Sequence, residues 1–428
     1  MKVLFVAPVA PWPPDTGGRI RTSKLLKYLA PHAEVHLLAV RQPDLAPEAR
    51  RALERLCASV RLFDRSPVAA FERSTLARPE RWFHSAGLRS GLEAELAGGR
   101  YDLVHLDEPL LVRALPERVH VPICVHHHKL DTLLHERLPH PSALRKRFEG
   151  LKLARLEAEA ARRSPHHVLA GAEDAAVLRS RFDGLQTQVV PCGFDPEYFE
   201  PRDAPCERER ARVLFLGTMD YGPNVDGLAW MVDAILPRLL AHKSELRFDV
   251  VGRDPVPAVR AAASDTVRVL GGVRDVRPYL ERTACLVAPL RVGGGTRIKL
   301  LEALAMRCPV VATPAAAEGL DLEHRRHLLL AESAEGVAQA VLELIEDPAL
   351  GRALGYAGRQ RVVERYRWDA LALELLAAWR KIAAGSALVH HHQPVFEPAP
   401  ALPAQRVAAA REFDDQHALR SASKYARS

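Results

Sequence analysis

Two apolar patterns alternate along the chain. Short, nearly continuous apolar runs fall at Lys2–Ala7, Glu34–Val40, Val60–Phe63, Tyr101–Leu106, Pro122–His126, His167–Gly171 and Gln188–Pro191. Runs of this kind mark strands covered on both faces. Between them lie stretches whose apolar residues recur at helical spacing, such as Arg19–Leu29, Pro47–Leu56 and Phe148–Arg162. Regular alternation of the two implies βαβ units and parallel sheets. The pattern restarts at Ala211–Leu216 and continues through Arg247–Gly252, Val267–Gly271, Cys285–Pro289, Pro309–Thr313 and Leu328–Ala331. The intervening segment, Cys192 to Arg210, is rich in proline and charge and has little periodicity, as a linker does. The spacing thus predicts an α/β chain with a Rossmann-like domain over 1–191, a linker over 192–210 and a second Rossmann-like domain over 211–366. Helix-forming sequence runs from Gly336 to about Ala384. Residues 385–428 lack a core pattern and are expected to be largely disordered, with His390–His392 a solvated tract rather than a metal site.

Composition changes this picture little. The chain has 428 residues, 48% hydrophobic and 26% charged, too long for one core and ordinary for a globular protein. Six cysteines are scattered singly, which argues against a zinc site or disulfide framework and suits a reducing cytoplasm. The opening MKVLFVAPVAPWPPD is broken by prolines and reads as a first strand rather than a secretion signal. No apolar run approaches the roughly 20 residues that span a bilayer. The net charge of +7 favours an anionic partner. Without zinc-finger spacing, aromatic RNA-binding motifs or a basic arm, nucleic acid is not that partner. The segment Arg145–Arg163 reads as a basic amphipathic helix, either a solvated face or a peripheral contact at the inner face of a membrane.

Candidate chemistry sits just after strands, where open parallel sheets bind ligands. The segment Gly293 to Ala303, GGGTRIKLLEA, follows the strand CLVAPL. Gly293, Gly294 and Gly295 remove side chains where backbone must approach a ligand. Thr296 is a helix N-cap, and a helix reads from Ile298 to Met306. Its N–H groups and dipole favour an anion, and Arg297 and Lys299 add full charges. Glu302 lies one turn beyond Lys299, placed to accept ribose hydroxyls. The pattern alone also fits a capped structural helix with a surface ion pair. In the amino-terminal loop, Gly17 and Gly18 precede a helix near Arg19 and would let amides approach a phosphate or an acceptor. Arg19 and Arg21 either reach that site or are surface charges. No GxGxxG is present, so no dinucleotide cofactor is indicated. His126, His127 and His128 end a strand, point in alternate directions and form no three-ligand metal site. His105 ends the preceding strand, and Asp107 or Glu108 beside it is an acceptor-contact candidate.

The segment GGGTRIKLLEALAMRCPVVAT, with TPAAAEGL, VLFLGTMDYGPNVDGLAW, VGGVRDVRPYLERTACLVAPL and PPDTGGRIRTSKLLKYL, resembles retaining GT-B glycosyltransferases. The resemblance is to their large group-1, family-4 type, the branch that glycosylates bacterial polysaccharides and lipids. It spans most of residues 1–375. It implies two Rossmann-like domains facing a central cleft, with a carboxyl-terminal helix over 367–384 crossing back to the first. It implies transfer of a sugar from a nucleoside diphosphate sugar to a glycan or lipid-linked hydroxyl, without a metal or other cofactor. His128, with His127 in reserve, corresponds to a histidine directed at the reacting sugar, and Lys299 and Arg297 to the diphosphate cations. Glu302 is the second of two glutamates that mark such donor sites. Gly294 stands where the first is usual, leaving the amides of Gly293–Thr296 to substitute. The alternatives are a sugar-nucleotide epimerase of the same fold and a non-catalytic sugar-nucleotide-binding protein.

Overall fold

Strand β1, Lys2–Ala7, is buried at every position after the first, and its β-branched and aromatic side chains suit a strand covered on both faces. It forms the middle of the first of two parallel sheets. In the computed structural model, which describes residues 1–42, 45–138, 140–202, 208–292 and 297–385, the chain divides into two units.

The first unit comprises Met1–Cys192 together with the helix Trp368–Ala383. Its strands are β1, β2 (Glu34–Val40), β3 (Ser59–Phe63), β4 (Leu103–Leu106), β5 (Ile123–His127), β6 (His166–Leu169) and β7 (Gln186–Val189), in the order β3-β2-β1-β4-β5-β6-β7. Strand order reverses between β1 and β4, the position at which such sheets open a crevice beyond their carboxyl ends. Helix Gly17–Leu29 leaves β1 there, its N-cap Thr16 accepting a hydrogen bond from the Arg19 amide. Helix Trp368–Ala383 packs on it. Trp368, Leu371, Ala372, Leu375, Leu376, Trp379 and Ile382 recur at helical spacing and are buried, so one stripe holds this helix in the unit.

The second unit is Gly193–Arg367. Strands β8 (Glu209–Leu216), β9 (Arg247–Val251), β10 (Val267–Gly271), β11 (Thr283–Ala288), β12 (Val310–Ala312) and β13 (Leu329–Leu330) pair in parallel in the order β10-β9-β8-β11-β12-β13. Here the order reverses between β8 and β11. Phe215, Phe248, Leu286 and Val287 fill the sheet faces at 0% exposure. Truncating one such side chain to alanine typically costs about 3–5 kcal/mol.

Two departures from the sequence pattern have clear causes. The linker-like segment contributes Phe194 and Phe199 to the buried core of the second unit, and Phe194 bridges to Arg367. Proline and charge hide these two anchors from a periodicity argument. The long helical stretch is three helices, Ala334–Glu346, Pro348–Arg365 and Trp368–Ala383. Asp347 caps the second through the Ala349 and Leu350 amides, and Pro348 begins it. Residues 386–428, with His390–His392, lie outside the described residues.

Candidate functional site

The β8–β11 switch point collects a group of polar side chains in the second unit. The loop after β8 passes so close to the end of β9 that a Cβ on Gly252 would lie 1.6 Å from the Gly217 carbonyl oxygen, so only glycine fits. The loop leads to Asn224, whose Nδ2 donates to the Thr218 carbonyl at 2.9 Å. Its Oδ1 accepts from Lys299 Nζ at 2.7 Å, tying helix Gly222–Trp230 to the helix after β11. Lys299 also lies over the Phe215 ring, 4.9 Å from its centroid. Burial pushes the ammonium down to about 7, and neighbouring Arg297 adds to the shift. A cation this close to neutrality gains its full charge when an anion arrives.

Arg297 is buried and sits at the N-cap of helix Ile298–Ala305, one guanidinium nitrogen 3.4 Å from the Ala315 carbonyl. Glu302 is half-buried one turn along. Burial, with Asp275 and Glu302 nearby, pushes the Tyr198 phenol up to about 12. Gly293, Gly294, Gly295 and Thr296 lie outside the described residues.

The first unit gathers a different cluster at its own switch point. Asp107, just beyond β4 and 1% exposed, accepts from Thr22 Oγ1 at 2.5 Å and from His128 Nε2 at 3.1 Å. Two further imidazole nitrogens face its Oδ1, His126 Nδ1 at 3.5 Å and His105 Nε2 at 3.9 Å. Burial opposes ionisation of Asp107, yet His128 and the nearby imidazoles of His105 and His126 hold its carboxyl well below the usual range. Burial and Arg21 press His126 toward the neutral form, and burial does the same for His105. His128, its side chain 14% exposed, also has Nδ1 3.3 Å from Glu108 Oε1, and burial raises the Glu108 carboxyl. Gly18 lies against His128, where an added Cβ would be 3.4 Å from Nδ1.

His105, Asp107 and His126 are close enough to suggest a metal centre. Their outer partners show otherwise. Trp379 Nε1, which can only donate, gives its hydrogen to His105 Nδ1 at 3.0 Å. Arg21, also donor only, gives two to His126 Nε2 at 3.1 and 2.6 Å. Both imidazoles therefore carry their own proton on the nitrogen that faces Asp107. Metal-bound histidines show the reverse, donating outward to an acceptor. The trio fits a carboxylate surrounded by N–H donors, not a cation.

Most residues singled out in the sequence meet in one of these clusters; some do not. His127 is 1% exposed, and its Nε2 pairs with His167 Nδ1 at 2.9 Å. Alternation along β5 sends it to the opposite face from His126 and His128. Gly17 is exposed with nothing near its Cβ position. Arg19 pairs with Asp15 at 2.8 Å. Arg21 is 1% exposed, neither a surface charge nor a ligand contact but a support for His126. Asn224 and Trp379 carried no signal of their own. Asn224 sits in GTMDYGPN with no flanking pattern, and Trp379 bonds His105 across 274 residues of sequence.

Residues 210–347 match the family model described as glycosyl transferases group 1. The MMP alpha-(1->4)-mannosyltransferase of Mycolicibacterium hassiacum is 27% identical over 213 residues, 46% of this chain and 49% of its own length. The GDP-mannose-dependent alpha-(1-6)-phosphatidylinositol monomannoside mannosyltransferase of Mycobacterium tuberculosis is 29% identical over 230 residues, 47% of this chain and 59% of that protein. The chain thus spans about half the length of the curated relatives it matches. In structure it is similar to sucrose-phosphate synthase from Thermosynechococcus elongatus, with a TM-score of 0.71 at 20% identity, covering 90% of this chain and 100% of that one. Residues 210–347 are thus similar to group 1 glycosyl transferases, and the chain as a whole shares the two-sheet α/β fold of sucrose-phosphate synthase.

Proposed function

We propose that the chain moves a sugar from a nucleoside diphosphate sugar to a hydroxyl of a glycan or lipid-linked acceptor, with retention of configuration and without a metal. The observation that carries this reading is Lys299, seated on Phe215, tied to Asn224 and poised near pH 7 at the β8–β11 switch point. Its neighbours Arg297 and Glu302 suit the diphosphate and the ribose. Departure of the diphosphate concentrates negative charge on oxygen as the sugar–phosphate bond breaks. Lys299 and Arg297 stabilise that charge where a metal otherwise would. The acceptor oxygen bonds to the anomeric carbon, and its proton passes to an oxygen of the departing phosphate, so no separate carboxylate base is needed. In the first unit, Asp107 fixes the orientation of the His128 imidazole, and His128 is the residue proposed to act on the sugar.

A panel of nucleoside diphosphate sugars, screened by thermal stabilisation, identifies the donor. With that donor and an acceptor, Lys299→Ala is expected to reduce transfer about 100-fold or more, as loss of a charge-stabilising group does. Transfer at the native rate by this variant contradicts the assignment. Release of free or epimerised sugar without acceptor, at the rate of transfer, contradicts the reaction class.

A further inference from the structure

Glu157 lies outside both clusters yet reaches the segment that carries His128. It stands on helix Ala143–Arg163 and is 2% exposed. A glutamate is rarely so buried unless it is paired, and burial pushes this carboxyl up to about 7. If packing were all it supplied, an apolar side chain would fill the position without that penalty.

Its partners show what it supplies. Strand β5 ends at His127, and helix Asp131–Arg137 begins directly after His128, Lys129 and Leu130. The N-cap position of that helix is Leu130, which has no side-chain oxygen for the first amides. Glu157 serves them from a neighbouring helix. Its Oε1 accepts from the Thr132 amide at 3.0 Å, and the Thr132 hydroxyl lies 3.0 and 2.8 Å from its two oxygens. Arg181, at the end of helix Ala172–Arg181, donates to the same hydroxyl and to Glu157 Oε2 at 3.3 Å. Just before, the Leu130 amide donates at 3.2 Å to Oδ2 of Asp174, another buried carboxylate. The two amides flanking Asp131 are therefore pinned from two different helices. Only Lys129 separates them from His128, whose ring is held on its other side by Asp107.

We infer that Glu157 is a positioning residue for His128. By capping helix Asp131–Arg137 from outside, it fixes the backbone that carries the imidazole to Asp107. A helix of 7 residues does not hold itself together in water, so without the cap its first turn frays and His128 loses a fixed base. Glu157 itself touches no ligand. The purpose of this placement rests on the transferase reading, whereas the placement can be measured without substrate.

The full chain, labelled with nitrogen-15 histidine, is compared with Glu157→Leu and Glu157→Gln, and His128→Ala assigns the His128 signals. Leucine fills the space without an acceptor, and glutamine keeps an oxygen for the Thr132 amide. In Glu157→Leu the His128 imidazole signals should shift or split, while His36 on β2 keeps its native signals. Hydrogen exchange at the Thr132 amide should quicken about tenfold or more, as for loss of a hydrogen bond to a charged group. Glu157→Gln should restore the native His128 signals. With the donor found by thermal stabilisation, kcat in Glu157→Leu should fall about tenfold and the donor KM stay within about twofold, because misplacement costs turnover rather than binding. His128 signals that stay native in Glu157→Leu, whatever its melting temperature, assign Glu157 to packing alone and overturn the inference. So does a Glu157→Gln variant whose His128 signals depart as far as those of Glu157→Leu. Displaced His128 signals with unchanged turnover uphold the placement and count instead against the role of His128 in transfer.

Discussion

The switch points of the two units solve opposite electrostatic problems. In the first, one buried anion, Asp107, is surrounded by the Thr22 hydroxyl and three imidazoles, and its charge is secured with or without a ligand. In the second, a cation, Lys299, is desolvated over an aromatic ring with a neutral amide oxygen as its partner. One site is complete in itself and holds a side chain in place. The other is left short of negative charge, which on the proposed reading a diphosphate supplies. Stability and function should therefore respond in opposite directions when the two central charges are removed.

The largest effect is expected at Asp107. Asp107→Asn leaves the surrounding imidazole N–H groups without their anion, and should cost about 3–5 kcal/mol in chemical denaturation. The pH dependence follows with a definite sign. The folded pKa of Asp107 is depressed, so its stabilisation is present above the unfolded carboxylate range and is lost as pH falls through the lower, folded value. Asp107→Asn should flatten that acid limb.

Lys299→Met should do the reverse. It removes a poorly compensated charge from an apolar seat, and the melting temperature should rise by the equivalent of about 1 kcal/mol. Binding of the nucleoside diphosphate should fall about 100-fold by calorimetry, as for loss of a charge-assisted contact. A variant both less stable and still able to bind would break the contrast.

Trp379→Phe deletes one N–H and leaves His105 Nδ1 without its donor, at a cost of about 1–3 kcal/mol. If Trp379 fixes the tautomer, the nitrogen-15 shifts of His105 should show mixed tautomers in this variant and one in the native chain. A purely packing role leaves those shifts unchanged. The smallest effect belongs to His127. His127→Gln should alter transfer less than about threefold, whereas His128→Ala, which removes the ring held by Asp107, should reduce it about 100-fold.

Much of the architecture was legible in the sequence because parallel strands buried on both faces leave unbroken apolar runs. Lys2–Ala7, Glu34–Val40 and Val267–Gly271 have the limits their apolar runs predict. The divided directions of His126, His127 and His128 followed from strand alternation. The partners that tune each site were not legible, because they come from distant sequence. Asn224 reaches Lys299 across 75 residues and Arg21 reaches His126 across 105. Nothing local marks an asparagine or an arginine on a helix as such a partner. Phe194 and Phe199 were obscured for another reason, since two aromatic anchors among prolines and charges generate no period.

The most direct measurement is the number of protons taken up when donor binds, from calorimetry in buffers of differing ionisation enthalpy. Lys299 is held at about 7 in the free protein, so near pH 8 it is mostly neutral, and a bound diphosphate restores its charge. Binding at pH 8 should take up close to one proton per site, affinity should fall as pH rises from 7 to 9, and both effects should disappear in Lys299→Met. Binding with no proton uptake at pH 8, or uptake that persists unchanged in Lys299→Met, contradicts the assignment of Lys299 as the diphosphate grip.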